Sequence, residues 1–297
     1  MENQPWGPIK RPPVDSRAKP TEQILREPVE EGVLYITDQG ACLQVLKEKG
    51  LPVAAWLHEN NREQDLSAAA YAVENLQELD MDFLERVYRR EKNIPWEILE
   101  TDRCLVREMI PEDAEAFFKI YEEASIRRYM KDFHENIEGE AAYIRDYRQR
   151  YRFFEYGIWS IVLKATGEVI GRAGFTELED VQNLSLNFAI YSKSEIAEEE
   201  PDGSHENVES GIHLEKFDGK EENLACRERL WSVPCLGYMI GVPWQRQGLA
   251  YEVCRAILEY GSRELGFSRV QLFVEVDNTP SINLAKKLGF VNMSKEL

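Results

Sequence analysis

A short segment near the end of the chain has the residue types that bind a phosphate group. Residues 245–250 read Gln-Arg-Gln-Gly-Leu-Ala and lie between an apolar segment, residues 236–240, and a long stretch with helical apolar spacing. The small residues Gly248 and Ala250 would let an anion approach the first turn of that helix, whose unpaired N–H groups and positive dipole end attract it. The glutamine and arginine that open the segment add side-chain donors. The same pattern also fits an ordinary strand-to-helix turn, because a single glycine is weak evidence.

A second segment, residues 270–290, supports the phosphate-binding interpretation. It reads as an apolar strand, an Asn-Thr-Pro turn, a helix and a glycine at the helix end. In order and spacing the two segments resemble the GCN5-related N-acetyltransferase (GNAT) superfamily, whose phosphate turn is written Q/R-x-x-G-x-G/A and whose later block is written N-x-x-S/A followed by K-L-G-F. The matching residues are Gln245, Gly248, Ala250, Asn278, Ser281, Lys287, Leu288, Gly289 and Phe290.

The resemblance covers residues 101–297. Residues 103–130 look like the opening strand and helix of the family, and residues 159–175 look like its β-hairpin, in the branch that includes ribosomal-protein N-terminal acetyltransferases. The segment LSLNFAIY, residues 184–191, could extend the same sheet. The resemblance therefore implies an α/β (α+β) fold with the mixed central sheet of the GNAT type. An acidic insertion, residues 195–222, departs from the compact family pattern and is typical of a surface loop.

The resemblance implies that acetyl-CoA is the co-substrate. Its pyrophosphate would lie on the amides of residues 246–250, and its pantetheine arm would lie between strands formed by residues 236–240 and 270–276. A backbone N–H there would also stabilise the oxyanion that forms from the thioester carbonyl. The cofactor-binding residues implied in this way are Met239, Ile240, Val242, Gln245, Arg246, Gln247, Gly248, Leu249, Ala250, Asn278 and Ser281.

Acetyl transfer in the family implies direct attack of an amine on the thioester, and the amine must first lose a proton. Glu177, at the end of the hairpin, and Glu275, on the pantetheine-side strand, are the candidate bases, although each also fits a solvent-facing strand carboxylate. His134 is a further candidate, and a lone loop histidine is more often structural.

The acid that protonates the departing thiolate is not evident in the sequence. Some family members use a tyrosine four residues after the position of Ser281, and in this chain that position is Ala285. Tyr238 and Tyr251 are nearby in sequence, and both fit core aromatics. We therefore expect water or another group to protonate the thiolate.

The first hundred residues show a different organisation. Residues 1–30 are rich in proline and charge and predict an extended arm without a core of its own. Residues 31–97 follow the order strand, helix, strand, strand, helix, which predicts a small α/β module. This module weakly resembles a truncated haloacid-dehalogenase-like fragment. It lacks a D-x-D-x-T/V nucleophile loop, so the sequence does not support phosphatase activity, and Asp38 fits a helix cap.

The chain has 297 residues, of which 43% are hydrophobic and 30% charged, and its net charge is −18. This composition excludes disorder throughout and makes nucleic acid and anionic membranes unfavourable partners. The acidity is local: residues 1–100 contain 19 acidic and 12 basic residues, and residues 195–222 contain 11 and 2. The remainder is nearly neutral, so the charge does not oppose binding of anionic CoA, and the acidic regions could attract a cationic amine acceptor.

The cysteines and histidines indicate neither disulfides nor a metal. The five cysteines are widely spaced without a CxxC pair, and no two of the four histidines lie three or four residues apart. Cys254 is expected in the core of the helix after the phosphate turn. The start of the chain has no apolar signal region, and the chain has no run of about 18 apolar residues, so a cytoplasmic location is expected.

Two functional hypotheses follow. In the first, the protein transfers acetyl groups from acetyl-CoA to a primary amine of a small molecule or a protein N-terminus. In the second, the fold is retained as a CoA-sensing or protein-interaction module with little turnover. Residues 245–250 support CoA binding in both cases, and the residue at position 285 leaves turnover open. The sequence identifies neither the acceptor nor the oligomeric state.

Overall fold

The computed structural model describes residues 32–130, 134–176, 186–192 and 233–292, and for 186–192 only the backbone. The chain divides into two compact units, residues 1–96 and 97–297. The predicted arm, residues 1–30, the candidate base Glu177 and the acidic insertion, residues 195–222, lie outside the described residues.

The first unit is a small parallel sheet with two helices. Its strands are β1 (Tyr35–Thr37), β2 (Val53–Trp56) and β3 (Ala72–Val73), and its helices are α1 (Gly40–Glu48) and α2 (Met81–Glu91). The sheet order is β1-β2-β3, with both pairs parallel. The helix α2 begins just after Asp80, whose carboxylate accepts a hydrogen bond from the N–H of Phe83 at 2.7 Å. The haloacid-dehalogenase resemblance and the role of this unit stay predictions.

The second unit is built on an eight-stranded mixed sheet, which confirms the predicted fold class. The strand order is β11-β8-β10-β9-β7-β6-β5-β4. Every neighbouring pair is antiparallel except β9 and β10, which run parallel. The strands are β4 (Glu97–Glu100), β5 (Cys104–Arg107), β6 (Ile158–Leu163), β7 (Val169–Thr176), β8 (Leu186–Ser192), β9 (Cys235–Ile240), β10 (Arg269–Glu275) and β11 (Val291–Asn292).

The strand β4 precedes the start of the family resemblance at residue 101, yet it belongs to this sheet through its pairing with β5. The predicted hairpin is present as β6 and β7, and Gly167 closes it in the left-handed region at φ 73°. The segment predicted to extend the sheet forms β8, between β10 and β11.

The described residues of the second unit also form five α-helices. They are α3 (Ala114–Tyr121), α4 (Ala124–Arg127), α5 (Ile137–Phe154), α6 (Leu249–Arg263) and α7 (Thr279–Lys287). The apolar residues of α6 recur every three to four positions and are buried, including Cys254, as predicted. Within the described part of the chain, no helix has both the length and the apolar character needed to span a membrane.

Candidate cofactor-binding site

The parallel neighbours β9 and β10 separate almost immediately. They pair at one position, Cys235 with Gln271, although both strands continue for several residues beyond it. On its other edge β9 pairs with β7 along its whole length. One edge of β9 is therefore left without a strand partner toward its carboxyl end. We call this wedge-shaped opening between β9 and β10 the wedge. It lies toward the carboxyl ends of the two strands, where the turn of residues 245–248 follows β9 and α7 follows β10.

The main chain of β9 presents alternate residues to the wedge. A Cβ atom built on Gly171 of β7 would lie 2.1 Å from the carbonyl oxygen of Met239, and the N–H of Gly241 donates to the carbonyl of Ile170 at 2.9 Å. The main-chain N–H and C=O groups of Met239 and Gly241 therefore point toward β7. Those of Tyr238 and Ile240 point the opposite way, toward β10. The main chain of Met239 pairs with β7, and the predicted contacts of residues near Met239, Ile240 and Val242 with pantetheine stay predictions.

The turn after β9 holds its main-chain N–H groups in a shape suited to an anion. Arg246 and Gly248 both adopt left-handed φ angles, 63° and 80°, and Gly248 begins α6 without a side-chain cap. Within the described residues, the main-chain N–H groups of Gln247 and Gly248 donate no hydrogen bond. A Cβ atom on Gly248 would meet only the Nη2 atom of Arg103, at 3.5 Å. The first turn of α6 is thus open to a bound group.

The side chains of Gln245 and Gln247 stabilise the turn through hydrogen bonds to main-chain carbonyls. The Gln245 side chain donates to the carbonyl of Ile240 at 2.9 Å, and the Gln247 side chain donates to that of Pro243 at 2.8 Å. Residues Val242–Trp244, just before Gln245, form a short 3₁₀ helix. The contact of Gln245 with a phosphate group stays a prediction, and in this structure its side-chain NH2 group donates to the chain itself.

The second predicted segment supplies the other side of the wedge. Asn278 follows β10, and its side-chain oxygen accepts from the N–H of Ser281 at 3.2 Å, capping α7. The hydroxyl of Tyr238 donates to the carbonyl of Ser281 at 3.3 Å and so links β9 to α7. The cap uses only the side-chain oxygen of Asn278, and the NH2 group takes no part in it.

The helix α3 and the residues just after α4 contact the two sides of the wedge, and the sequence did not indicate these contacts. A Cβ atom on Gly241, just after β9, would lie 3.1 Å from Ile120 of α3. At the other strand, Arg128 forms an ion pair with Asp277, and the hydroxyl of Tyr129 donates to the Asp277 carbonyl at 3.4 Å. The helix α3 therefore touches the β9 side of the opening, and the residues that follow α4 touch the β10 side.

A buried ion pair that the sequence did not reveal lies behind β9. Glu140 of α5 is 1% exposed and pairs with Arg172 of β7 at 3.3 Å. Burial raises the pKa of Glu140 above its ordinary value, and the charge of Arg172 opposes this shift. Arg172 is the register partner of Met239. A buried charged pair is therefore one strand away from the wedge, on the side of α3 and α5.

The predicted acid and base candidates are in different surroundings. Glu275 is half-buried at the end of β10, beside the wedge, whereas the His134 ring packs 5.0 Å from that of Tyr143 near the start of α5. Burial raises the pKa of Tyr238, so its hydroxyl keeps its proton at neutral pH. Ala285 is buried at 6% exposure. Among the described residues, no group of three or more potential ligands could hold a metal ion.

Comparison with known proteins agrees with this geometry. A family model described as an acetyltransferase (GNAT) domain matches residues 103–198 and 206–291. The uncharacterized N-acetyltransferase YoaA of Bacillus subtilis (strain 168) is 27% identical over 194 residues, covering 65% of this chain and 82% of the relative. The uncharacterized N-acetyltransferase p20 of Bacillus licheniformis is 25% identical over 200 residues, covering 65% and 82%.

Solved structures show similarity at lower levels. The ribosomal-protein-S5-alanine acetyltransferase of Vibrio fischeri has a TM-score of 0.43 and 12% identity, covering 65% of this chain and 82% of that chain. RimL, a ribosomal L7/L12 alpha-N-protein acetyltransferase in complex with coenzyme A, has a TM-score of 0.44 and 12% identity, covering 65% and 83%. The family match itself spans more than half of the chain and includes the wedge, the turn and the α7 cap, and the chain therefore belongs to the GNAT acetyltransferase family.

Proposed function

We propose that the protein transfers an acetyl group from acetyl-CoA to a primary amine of a small molecule or a protein N-terminus. The observation that carries the proposal is the wedge between β9 and β10, with the open turn of residues 245–248 at its mouth. An extended chain fits beside the unpaired edge of β9, and a pyrophosphate fits on the N–H groups at the start of α6. Both requirements are met at one edge of the sheet.

The roles of the other residues follow from their positions. The main-chain N–H of Ile240 faces the wedge, because Met239 and Gly241 face β7. It would hydrogen-bond the thioester oxygen and become stronger as negative charge develops there. The side-chain NH2 group of Asn278 would hold the pantetheine. Both donors are fixed before a ligand binds, Ile240 by the sheet and Asn278 by its cap on α7.

The chemistry balances without a metal or a covalent enzyme intermediate. The amine loses a proton to a base, for which Glu275 is our candidate in the described residues, and its nitrogen attacks the thioester carbonyl carbon. The C–N bond forms, the C–S bond breaks, and CoA leaves as a thiolate. The thiolate takes up the second proton lost by the nitrogen, directly or through water. Tyr238 is a poor acid for this step because burial raises its pKa.

The alternative is a CoA-binding module with little turnover. Ala285 favours it, because some family members have a tyrosine acid at this position. Both functions need the same turn, so CoA binding alone does not separate them.

A thiol-release screen tests the proposal. Acetyl-CoA is supplied with peptides, aminoglycosides, polyamines and amino acids, and free CoA is measured. We expect release with at least one class of amine, and the Glu275→Gln variant should lower kcat while the affinity for acetyl-CoA is kept. CoA binding without release across the whole panel would favour the binding module. Absence of CoA binding would contradict both functions.

A further inference from the structure

Arg103 lies far from the phosphate-binding turn in sequence but contacts it directly. Its Nη1 atom donates to the carbonyl of Gln247 at 2.9 Å, and its Nη2 atom would be 3.5 Å from a Cβ atom on Gly248. The residue stands just before β5, about 140 positions before the turn. No sequence signal connected the two, since the contact depends on the packing of α6 beside β5.

Glu252 holds Arg103 in place. Its Oε1 atom accepts from the main-chain N–H of Arg103 at 2.9 Å, and its Oε2 atom accepts from Nε at 2.7 Å and lies 2.6 Å from Nη2. The Glu252 carboxylate therefore binds both the main-chain N–H and the side chain of Arg103. Because Glu252 holds the guanidinium group along its Nε and Nη2 edge, the Nη1 atom is directed at the carbonyl of Gln247.

The contact with Gln247 sets the direction of a peptide group in the turn. The peptide bond between Gln247 and Gly248 is planar and trans, as no cis bond occurs among the described residues, so its C=O and N–H point in opposite directions. Because Arg103 binds the carbonyl, the N–H of Gly248 is turned to the other side. The Gln247 carbonyl oxygen is thereby directed away from the position expected for an anion, and the Gly248 N–H is directed toward it.

We propose that Arg103 is a positioning residue for acetyl-CoA, which orients the Gly248 N–H toward the pyrophosphate by binding the Gln247 carbonyl. This inference rests on the proposed function, since it assumes that the pyrophosphate binds at this turn. Arg103 and Glu252 form an ion pair in which the two charges offset each other, so the effect of Arg103 on the turn comes from its hydrogen bond to the Gln247 carbonyl. Arg103 acts through the turn and touches no reacting atom.

Arg103→Gln and Arg103→Lys are the informative variants, and Arg263→Gln is the matched control. Arg263 belongs to the same helix, α6, and forms an exposed pair with Glu259 at 2.9 Å, far from the turn. We expect Arg103→Gln to raise the Kd for CoA and the KM for acetyl-CoA about tenfold, the loss of one charge-assisted hydrogen bond. The kcat at saturating acetyl-CoA should stay within about twofold. Arg103→Lys should lie between the wild type and Arg103→Gln, and Arg263→Gln should match the wild type.

S-acetylpantetheine separates positioning from general damage. This substrate lacks the pyrophosphate, so Arg103→Gln should use it as well as the wild type does, although a misfolded variant would lose both substrates. A Kd for CoA unchanged in Arg103→Gln would overturn the inference, and so would an equal loss with S-acetylpantetheine. If the wild type binds no CoA, the proposed function itself fails, which is a different outcome from equal binding by the two proteins.

Discussion

The two units each contain a sheet edge where parallel strands end and a helix begins, and only one of these edges is open. In the first unit β1 and β2 stay paired over all three residues of β1, from Tyr35 with Val53 to Thr37 with Ala55. In the second unit β9 and β10 share a single pair. Two strands that stay paired leave no space between them for an extended ligand. Two strands that separate after one pair expose one edge of each strand. Of these two described strand pairs, only β9 and β10 leave a strand edge open to an extended ligand.

The glycines at the two helix starts show the same contrast. A Cβ atom on Gly40, at the start of α1, would lie 2.5 Å from the carbonyl oxygen of Asp65, and the Gly40 N–H already donates to the Gln64 side chain at 3.0 Å. Gly248 meets no backbone atom within 4 Å. The first glycine serves close packing of the chain on itself. The second leaves room for another molecule.

The polar groups at the two edges are used differently as well. In the first unit His58 lies 3.3 Å from the Asp38 carboxylate, and the Asn61 amide donates to the carbonyls of Asp38 and Trp56. These groups satisfy one another. At the wedge, the N–H groups of Gln247 and Gly248 have no acceptor among the described residues. Unused donors at a helix start are what an anion needs.

The largest expected effect is that of Gly248→Glu, which closes the open edge. The carboxylate would occupy the position of the pyrophosphate, and opposing like charges cost several kcal/mol, so the affinity for acetyl-CoA should fall roughly 100-fold or more. Isothermal titration calorimetry measures the change. Gly167→Glu is the control, since Gly167 has a similar φ of 73° and open space around it but lies in the β6–β7 hairpin. Equal affinities in the two variants would remove the turn from the account.

Gly40→Ala tests the closed edge. Its methyl group would press on the Asp65 carbonyl, and overpacking of this kind costs about 1–3 kcal/mol. We expect faster hydrogen exchange in α1 and β2 with no change in the affinity for acetyl-CoA. Gly50→Ala, where nothing lies within 4 Å, separates the clash from backbone strain. A loss of CoA affinity in Gly40→Ala with normal exchange would mean that the first edge is the binding site.

Two substitutions at Asn278 separate its two roles at the wedge. Asn278→Asp keeps an oxygen for the α7 cap and loses the NH2 group, so stability should be unchanged and the KM for acetyl-CoA should rise about fivefold. Asn278→Ala loses both and should also lower the free energy of unfolding by about 1 kcal/mol. Thermal unfolding and steady-state kinetics give the two readouts. A KM unaffected by Asn278→Asp would limit this residue to capping.

The smallest expected effect is a pH dependence at the start of α6. Burial alone would raise the pKa of Glu252, but hydrogen bonds from Thr101 and Arg103 and the charge of Arg103 outweigh it and hold the pKa below 4.5. Because the folded pKa is the lower one, this stabilisation is complete above about pH 4.5 and is lost as the pH falls through the folded pKa. Exposed pairs contribute about 0.5 kcal/mol. The difference in urea midpoint between the wild type and Glu252→Gln should therefore shrink below pH 4.5, and a constant difference would contradict it.

The features that the sequence predicts are those carried by short segments. The turn with Gly248, the Asn-Thr-Pro turn before α7, the β6–β7 hairpin and the buried face of α6 each depend on residues close together in the chain. Their chemistry is local, so residue type and spacing are sufficient.

The features that sequence reasoning missed depend on contacts between distant residues. The main-chain direction of Met239 depends on which edge of β9 joins β7. Arg103 meets Glu252 across 149 positions. The hydrogen bond from the Gln245 side chain to the Ile240 carbonyl forms where β9 has no strand partner on that edge.

Hydrogen exchange of the full chain with and without saturating acetyl-CoA tests the central claim most directly. The account predicts slower exchange at residues 238–251 and 276–282, which border the wedge, and unchanged exchange at residues 35–61 of the closed edge. Slower exchange confined to residues 35–61, or bound acetyl-CoA that leaves residues 245–250 unprotected, would contradict the account.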